Sequence, residues 1–535
     1  MGDATNGMSL EEQIGQLLMV GFSGLTPPRE ILELIERYHV GNIILFSRNV
    51  GDAEQVFQLT QQLQEHARKA GHRYPLLIAI DQENGIVQRM GETATIFPGN
   101  MALGAIGSEE IAQEVAKAAG DELRAMGINM NLAPVMDVNN NPANPVIGVR
   151  SFGEEARLVG RLGAAMVRGY KEAGVISCLK HFPGHGDTAV DSHLAMPAIL
   201  YALERLEQLE LVPFAMGIEA GADCVMTAHI AFPALTGSGE IPATLAPAII
   251  KGLLREKLDF AGVVISDCLE MHAVLDNFGT GRGAVLALQA GIDLVLVSHL
   301  FERQVKSIEA IREAVQNGEL DPGVIQAAAG RVMALKERML SWDTLPKMEG
   351  LKESVSSPAH QQLQERAYEL STTLVRNDEG LVPLHLKAGE QLVVLAQPRS
   401  RLTMVEDRKF ADDALANILR TFCESVRELK INANTAQEAY QQALAKTGEQ
   451  DVLIVATVNA HLDEKQAELV RWLAQSGRRV IGIAVRNPYD LEAFPELRTY
   501  LVTYEYTRPA LEAAARVLFG ERQARGKLPV SVKRG

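Results

Sequence analysis

The chain has 535 residues, of which 47% are hydrophobic and 22% are charged, a composition typical of a soluble globular protein. This length exceeds one ordinary core, so we expect two domains. The net charge of −15 disfavours a nucleic-acid backbone or an anionic membrane surface as the main partner. Four widely spaced cysteines, Cys178, Cys224, Cys268 and Cys423, form no CxxC pair, so we expect neither a zinc knuckle nor a disulfide framework.

The N-terminal segment and the cysteine usage predict a cytoplasmic protein. The segment MGDATNGMSLEEQIGQLL lacks the basic start and long apolar run of a secretory signal, and no stretch approaches the ~20 apolar residues that span a bilayer. The scattered cysteines also fit a reducing compartment. We expect no membrane span and no nucleic-acid partner, and the sequence leaves the oligomeric state open.

Short apolar, β-branched runs recur through the first part of the chain: LLMVGF, NIILF, LLIAI, MNLAP, ISCLK, CVMTA, VVISD and LVLVS. Between them lie amphipathic segments with helical spacing, such as EEIAQEVAKAAGDELRAMG and ALERLEQLELVPFAMGIEAGA. Strands that alternate with helices and are apolar on both faces are typical of parallel βα units. These runs predict an α/β fold that begins with a (β/α)₈ TIM-type barrel over residues 1–342.

Polar side chains follow several of these runs, where a barrel enzyme places its working groups. The residues at these positions are Asp81, Lys180, His181, His229, Asp267 and His299. We interpret His229 and His299 as rim histidines with satisfied hydrogen bonds and leave them out of the catalytic set. The others predict an active site at the C-terminal face of the barrel.

The pattern changes near residue 340. The segment SWDTLPKMEGLKESVSSPAHQQ is polar and contains Pro and Gly, which predicts a linker over residues 343–365. Beyond it, the apolar runs STTLVRN, QLVVLAQ, DVLIVATVN, RVIGIAVRN and TYLVTYEY alternate with helical segments such as AELVRWLAQSG. We therefore predict a smaller α/β/α sandwich domain over residues 366–535.

The segment CLKHFPGHGDTAVDSHLAMP concentrates histidines, aspartates and a lysine after the fifth predicted strand. His181 and His185 have the i, i+4 spacing of zinc-binding helices, but Pro183, Gly184 and Gly186 oppose a helix there. We therefore expect no metal ion, and we expect no organic cofactor.

Two other interpretations use the same segment. Lys180 could form a Schiff base, as in an aldolase, or serve as a fixed cation for a sugar or a carboxylate. A glycosidase needs a carboxylate on one side of the scissile bond and a proton donor on the other. Asp267 ends the strand GVVISD and is a suitable carboxylate. Asp191 and His193 are two residues apart, so the carboxylate could orient the imidazole and keep a proton available.

Four stretches in order resemble the family 3 glycoside hydrolases, specifically their bacterial β-N-acetylglucosaminidase branch: IDQENGIVQRM, NLAPVMDVNNNPANPVIGVRSFG, KHFPGHGDTAVDSH and GVVISDCLEM. STTLVRNDEGLVPL and the terminal GKLPVSV are similar to that family's second domain. The resemblance implies an exo-acting, retaining enzyme that releases terminal non-reducing N-acetylglucosamine from muropeptides or chitin oligosaccharides. It also implies that no metal or organic cofactor takes part.

The resemblance implies roles for individual residues. Asp267 would be the nucleophile that forms a covalent glycosyl-enzyme, and His193, assisted by Asp191, would be the acid/base. The residues that match the family's binding positions for the terminal sugar are Asp81, Arg89, Arg150, Lys180 and His181. Carboxylates suit paired hydroxyl groups, and Arg and Lys are fixed donors.

Two positions depart from the family's usual DQEGG and SDDLEM. Asn84 replaces a glycine, and Asn tolerates left-handed backbone better than most residues. Cys268 replaces a carboxylate beside Asp267, which removes a like charge and favours the ionised nucleophile. We therefore expect activity to survive both changes.

Several alternatives stay open at this point. A phosphorylase could use the same residues with phosphate as acceptor, and a β-glucosidase would share Asp267. An inactive binding protein is disfavoured because both proposed catalytic positions are filled. His185 and Asp187 fit loop-shaping roles. Arg150 could also pair with Asp137 at the rim instead of binding a ligand.

Overall fold

The computed structural model describes residues 5–188, 196–396, 406–407, 414–431 and 433–532. The strands of its first part are β1 (Leu18–Val20), β2 (Asn42–Leu45), β3 (Leu77–Ile80), β4 (Gln82–Asn84), β5 (Val87–Gln88), β6 (Met130–Asn131), β7 (Ile176–Phe182), β8 (Cys224–Thr227), β9 (Val263–Ile265) and β10 (Val295–Val297). Strands β4 and β5 pair only with each other, as a short antiparallel hairpin.

The helices of the first part are α1 (Leu10–Gln16), α2 (Arg29–Glu36), α3 (Ala53–Lys69), α4 (Asn100–Ile106), α5 (Glu109–Ala125), α6 (Ala156–Ala173), α7 (Leu203–Gln208), α8 (Leu211–Glu219), α9 (Pro233–Thr236), α10 (His272–Phe278), α11 (Thr280–Ala290), α12 (Phe301–Gln316) and α13 (Pro322–Met339). A π-helix spans Ala248–Lys257. In the described part of the chain, no helix is both long and apolar enough to cross a bilayer.

The first sheet is a parallel barrel. Among the described residues, eight strands follow the order β10-β1-β2-β3-β6-β7-β8-β9, and every neighbouring pair is parallel. A further parallel bridge joins Ile265 of β9 to Leu294, the residue before β10, and brings the two sheet edges together. Each predicted apolar run contains one of these strands, so the predicted (β/α)₈ barrel is confirmed.

The barrel strands alternate between two cores. Ile44 packs inside the barrel with Cys178 and Cys224. Its neighbours Ile43 and Leu45 pack outward against the helices. Both cysteines are buried free thiols. Burial on both faces is the physical reason why these strands appear in the sequence as continuous apolar runs.

One predicted helix is divided in two. The segment ALERLEQLELVPFAMGIEAGA forms α7 and α8 rather than a single helix. Pro213 explains the break, because a proline ring inside a helix clashes with the carbonyl group four residues earlier, which here belongs to Leu209. The amphipathic spacing continues across the break, so spacing alone did not show it.

Two helices, α14 (Met348–Ser354) and α15 (Pro358–Ser371), lead into the second sheet. Its strands are β11 (Thr373–Asn377), β12 (Leu392–Ala396), β13 (Val426–Lys430), β14 (Val452–Thr457), β15 (Arg479–Ala484) and β16 (Thr499–Val502). Its helices are α16 (Ala414–Phe422), α17 (Ala436–Ala445), α18 (Glu464–Gln475) and α19 (Arg508–Leu518).

The second domain is the predicted three-layer sandwich. Its described strands lie in the order β11-β16-β15-β14-β12-β13, and all pairs are parallel except β11 with β16. Helices α17 and α18 pack on one face of this sheet, and α16 and α19 pack on the other. Strand β13 was not predicted, because its segment VRELK carries charges and lies at a sheet edge, where such residues are favoured.

The two domains share an apolar core. Met101 and Val149 of the barrel belong to the same buried cluster as Tyr489 and Tyr500 of the second domain. The terminal segment GKLPVSV also reaches the barrel, where the N–H of Lys527 donates to the carbonyl oxygen of Ala105 at 3.0 Å. The second domain is therefore packed against the barrel near α4 and the loop that follows β6.

Glu505 is a buried carboxyl group at this interface, with 1% of its surface exposed. Its Oε1 accepts the backbone N–H of Gly99 at 3.0 Å, and its Oε2 accepts the hydroxyl of Tyr368 at 3.4 Å. Burial raises the pKa of Glu505 to about 8, because it outweighs these hydrogen bonds. The carboxyl is therefore protonated at neutral pH.

Glu505→Gln is expected to change how stability depends on pH. An unfolded Glu has a pKa of about 4.3. Between that value and about 8, the folded wild type holds one more proton than the unfolded chain, so its stability falls as the pH rises, by up to about 1.4 kcal/mol per unit. The glutamine amide of the variant does not titrate, so the stability of the variant does not fall with pH for this reason. Chemical denaturation from pH 5 to pH 9 measures the difference, and parallel curves would contradict the assignment.

Candidate active site

A cavity of about 360 Å³ opens at the C-terminal ends of the barrel strands. Of the residues predicted to form the site, the ones that line it are Asp81, Arg89, Arg150, Lys180, His181 and Asp267. The other two, Asp191 and His193, lie outside the described residues. The volume is at the low end of the range for small-molecule sites. A larger cavity of about 530 Å³ lies between α15 and α19 and contains none of these residues.

Four charged side chains form one network in the cavity wall. Lys180 Nζ lies 2.6 Å from Asp81 Oδ1 and 2.8 Å from Glu83 Oε1. Arg150 donates two hydrogen bonds to Glu83, from Nε to Oε2 at 2.8 Å and from Nη2 to Oε1 at 2.7 Å. The network contains two cations and two carboxylates. It joins the β3 end, the β4–β5 hairpin, the loop after β6 and strand β7.

Opposite charges decide the protonation states in this network. Burial raises the pKa of Glu83, yet the charges of Arg150 and Lys180 hold it well below its usual range. Burial likewise lowers the pKa of Lys180, but the carboxylates of Asp81 and Glu83 raise it more, so the net direction is upward. Lys180 is therefore a protonated ammonium at neutral pH, which is a hydrogen-bond donor and not a nucleophile.

A buried carboxylate orients His181. The Nδ1 of His181 lies 2.8 Å from Asp137 Oδ2, and its Nε2 lies 3.4 Å from Arg150 Nη2. Asp137 also accepts the backbone N–H groups of His181 and His185. Burial raises the pKa of Asp137, but His181 and these hydrogen bonds bring it below its usual value. The alternative in which Arg150 pairs with Asp137 is wrong, because the guanidinium group binds Glu83.

Asp267 lies two residues after β9 and faces the same cavity. Its Oδ1 accepts the backbone N–H of Cys268 at 2.7 Å. Burial, followed by the nearby charge of Glu270, raises the pKa of the Cys268 thiol to about 12. The thiol is neutral at pH 7, so this position adds no negative charge beside Asp267.

One group of described residues has the composition of a metal site. The ligand atoms of Cys268, Glu270 and His299 lie within 4.8 Å of one another. However, Glu270 already accepts the backbone N–H groups of His299 at 2.6 Å and Leu300 at 3.1 Å, and Arg303 lies 3.4 Å away. These donors hold the Glu270 carboxylate in place, so Glu270 anchors the loop after β10.

The loop after Lys180 packs tightly against the loop after β6. A Cβ atom at Gly186 would lie 1.7 Å from the carbonyl oxygen of Val138, so only glycine fits there. Asn144 Nδ2 donates to the carbonyl oxygens of His185 and Gly186, each at 2.9 Å. Burial lowers the pKa of His185 to about 4, which makes its imidazole neutral at pH 7. These contacts agree with a loop-shaping role for His185.

Three charged residues of the cavity wall, Arg48, Glu83 and Asp407, were not predicted from the sequence. Glu83 follows Asp81 by two residues, and side chains two apart in extended backbone share a face, so this spacing could have identified it. Asp407 belongs to the second domain and lies 2.9 Å from Arg89, from which 318 residues separate it. No sequence spacing indicates a contact at that distance along the chain.

Two family models match most of the chain. The one described as "Glycosyl hydrolase family 3 N terminal domain" matches residues 9–335, and the one described as "Glycosyl hydrolase family 3 C-terminal domain" matches residues 372–535. A curated relative named "Beta-hexosaminidase A" from Pseudoalteromonas piscicida is 32% identical. That match covers 98% of this chain and 97% of the relative.

Two solved structures are similar over nearly the whole chain. A glycoside hydrolase family 3 β-N-acetylglucosaminidase from Paenibacillus sp. str. FPU-7 is 40% identical with a TM-score of 0.89, over 99% of this chain and 100% of that chain. A fungal multi-domain family 3 β-N-acetylglucosaminidase is 42% identical with a TM-score of 0.91. The match covers 98% of this chain but 61% of the longer fungal chain.

Glu83→Gln is expected to destabilise the protein, because it leaves Arg150 and Lys180 without their shared carboxylate. Removal of one partner from a buried ion pair costs about 3–5 kcal/mol. The matched control is Glu33→Gln, which breaks the exposed pair with Arg37 and should cost at most about 1 kcal/mol. Chemical denaturation measures both. Equal losses in the two variants would contradict the proposed importance of the network.

Proposed function

This chain belongs to glycosyl hydrolase family 3, and we propose that it is an exo-acting, retaining β-N-acetylglucosaminidase. One observation carries the proposal: Asp267 faces the same small cavity as the paired charges of Asp81, Glu83, Arg150 and Lys180. A nucleophilic carboxylate beside fixed donors and acceptors is what a retaining glycosidase requires. The preference for an N-acetylated sugar is inferred from the names of the relatives that match over their full length.

The apolar floor of the cavity is part of the barrel interior. Ile44, Leu132, Met226 and Leu296 line the cavity and also belong to the packed barrel interior. The carboxylate of Asp81 can accept sugar hydroxyl groups, and the cationic and histidine side chains around it can donate to ring substituents.

The first chemical step forms a covalent intermediate. Asp267 attacks the anomeric carbon while the bond to the leaving oxygen breaks, and His193 donates its proton to that oxygen. Asp191 stabilises the imidazolium form of His193 before the transfer. The described segment that precedes Asp191 and His193 ends at Thr188. Thr188 Oγ1 lies 2.9 Å from Nδ1 of His185, and His185 lines the cavity.

The second step releases the sugar. His193, now neutral, takes a proton from a water molecule, and the resulting oxygen nucleophile attacks the anomeric carbon. The bond to Asp267 breaks and its carboxylate is regenerated. Two displacements at the same carbon retain the anomeric configuration. Neither step calls for a metal ion or an organic cofactor.

The Schiff-base alternative is not supported by the geometry. Such an enzyme needs a neutral amine, obtained by desolvation beside another cation. Lys180 instead lies between two carboxylates, which raise its pKa. The same pairing suits a fixed cation that binds a polar ligand.

We further propose that the substrates are muropeptides or chitin oligosaccharides with a terminal N-acetylglucosamine, and that the enzyme serves peptidoglycan recycling in the cytoplasm. The cysteines of the chain are free, and free thiols persist in a reducing compartment. Fractionation of the producing cells followed by an activity assay tests the location. Activity confined to the extracellular fraction would contradict it.

Asp267→Asn and His193→Ala are expected to lose hydrolysis of an unactivated β-N-acetylglucosaminide. Loss of the nucleophile should lower kcat by roughly a thousandfold or more. Loss of the acid/base should lower it by about 10²–10⁴-fold. The wild type should prefer an aryl β-N-acetylglucosaminide to the matched β-glucoside. Initial rates with the unactivated substrate test the two variants, and initial rates with both aryl sugars, with and without phosphate, test the preference for sugar and acceptor.

The matched controls come from one exposed ion pair on α10. Asp276→Asn and His272→Ala remove the same side-chain types at exposed positions that do not line the cavity, and both variants should keep wild-type rates. Full activity in Asp267→Asn would refute the proposed nucleophile. Acceleration by phosphate would instead identify a phosphorylase, and preference for the glucoside would identify a β-glucosidase.

A further inference from the structure

Asp407, a second-domain residue between β12 and α16, lies in the wall of the barrel cavity. Its Oδ2 accepts hydrogen bonds from Arg89 Nη1 at 2.9 Å and from the backbone N–H of Gln88 at 3.0 Å. Its Oδ1 accepts the hydroxyl of Ser47, and its own N–H donates to the carbonyl oxygen of Ile86 at 3.2 Å. All these partners belong to the barrel, so one residue of the second domain docks on two barrel loops.

The surroundings of Arg89 explain why a carboxylate is useful there. The side chains of Arg89 and Asp407 are only 9% and 10% exposed, so water screens their charges poorly. A second guanidinium is close by, because Arg48 stacks on the ring of Phe46 at 4.2 Å and Arg89 lies 6.0 Å from the same ring. Arg48 itself is held by the carbonyl oxygens of Phe22 and Ser298. Asp407 offsets this concentration of positive charge.

We infer that Asp407 is a positioning residue for Arg89 in the proposed sugar-binding cavity. This inference rests on the proposed function, in which Arg89 contacts the terminal sugar. A charge-assisted bond holds the guanidinium in one orientation before the ligand arrives. A donor that is already ordered loses less conformational entropy on binding.

The test is a double-mutant cycle on binding of N-acetylglucosamine, measured by calorimetry without any chemical step. Asp407→Asn keeps the size of the side chain and removes its charge, and we expect roughly tenfold weaker binding. In an Arg89→Ala background, the same substitution should cause little further loss, because its effect passes through Arg89. In hydrolysis assays, Asp407→Asn should raise KM more than it lowers kcat.

The neighbouring residue supplies the matched control. Glu406 pairs with Arg486 at 2.5 Å within the second domain, so Glu406→Gln also removes a partly buried acidic charge but should keep wild-type affinity. Thermal unfolding of each variant shows whether it is folded. If Asp407→Asn does not fold, Asp407→Ala, which also removes the charge, takes its place in the cycle, and Asp407→Glu, which keeps the charge, should retain most of the affinity.

The outcomes separate the two proposals. If the wild type binds and hydrolyses the N-acetyl sugar but Asp407→Asn binds equally well, the positioning role is wrong and the proposed function stands. Equal losses in the wild-type and Arg89→Ala backgrounds would also overturn it, because Asp407 would then act independently of Arg89. If the wild type neither binds nor hydrolyses the sugar, the proposed function fails and the positioning role fails with it.

Discussion

The pairing of Glu83 with Arg150 and Lys180 is the interaction on which the site depends. Buried charges are tolerated only when they are paired and hydrogen-bonded, and these three residues come from three separate segments of the barrel. Their pairing therefore sets the spacing of the β4–β5 hairpin, the loop after β6 and strand β7. Asp81 and Glu83 together keep Lys180 cationic, which distinguishes a site for a polar ligand from a Schiff-base site.

The sequence predicted those parts of the fold that depend on the residues of a single segment. Each barrel strand is buried on both faces, so its apolar run is visible without knowledge of its partners. Strand β13 was missed because a sheet edge tolerates charged side chains, and its backbone pairing with β12 has no signature in its own residues. The division of one helix into α7 and α8 depends on the single residue Pro213. The spacing of the apolar residues continues across the break and does not reveal it.

The sequence predicted the part of the site that lies at the ends of the barrel strands. The ends of parallel strands converge, so residues such as Asp81, Lys180 and Asp267 could be assigned to one cavity from their positions after strands. Asp407 could not, because its place depends on how a second domain packs against the first. The catalytic roles of Asp191 and His193 stay predictions, since both residues lie outside the described part of the chain. The packing of the domains thus contributes both an apolar core and a polar contact at the cavity.

The proposed mechanism depends on a covalent glycosyl-enzyme formed at Asp267. The most direct measurement is to incubate the enzyme with a fluorinated N-acetylglucosaminyl fluoride, which forms the intermediate faster than water releases it, and to locate the label by peptide mass spectrometry. We expect one label per chain on the peptide that contains Asp267, and none in Asp267→Asn. A label on another residue, or hydrolysis that inverts the anomeric configuration, would contradict it.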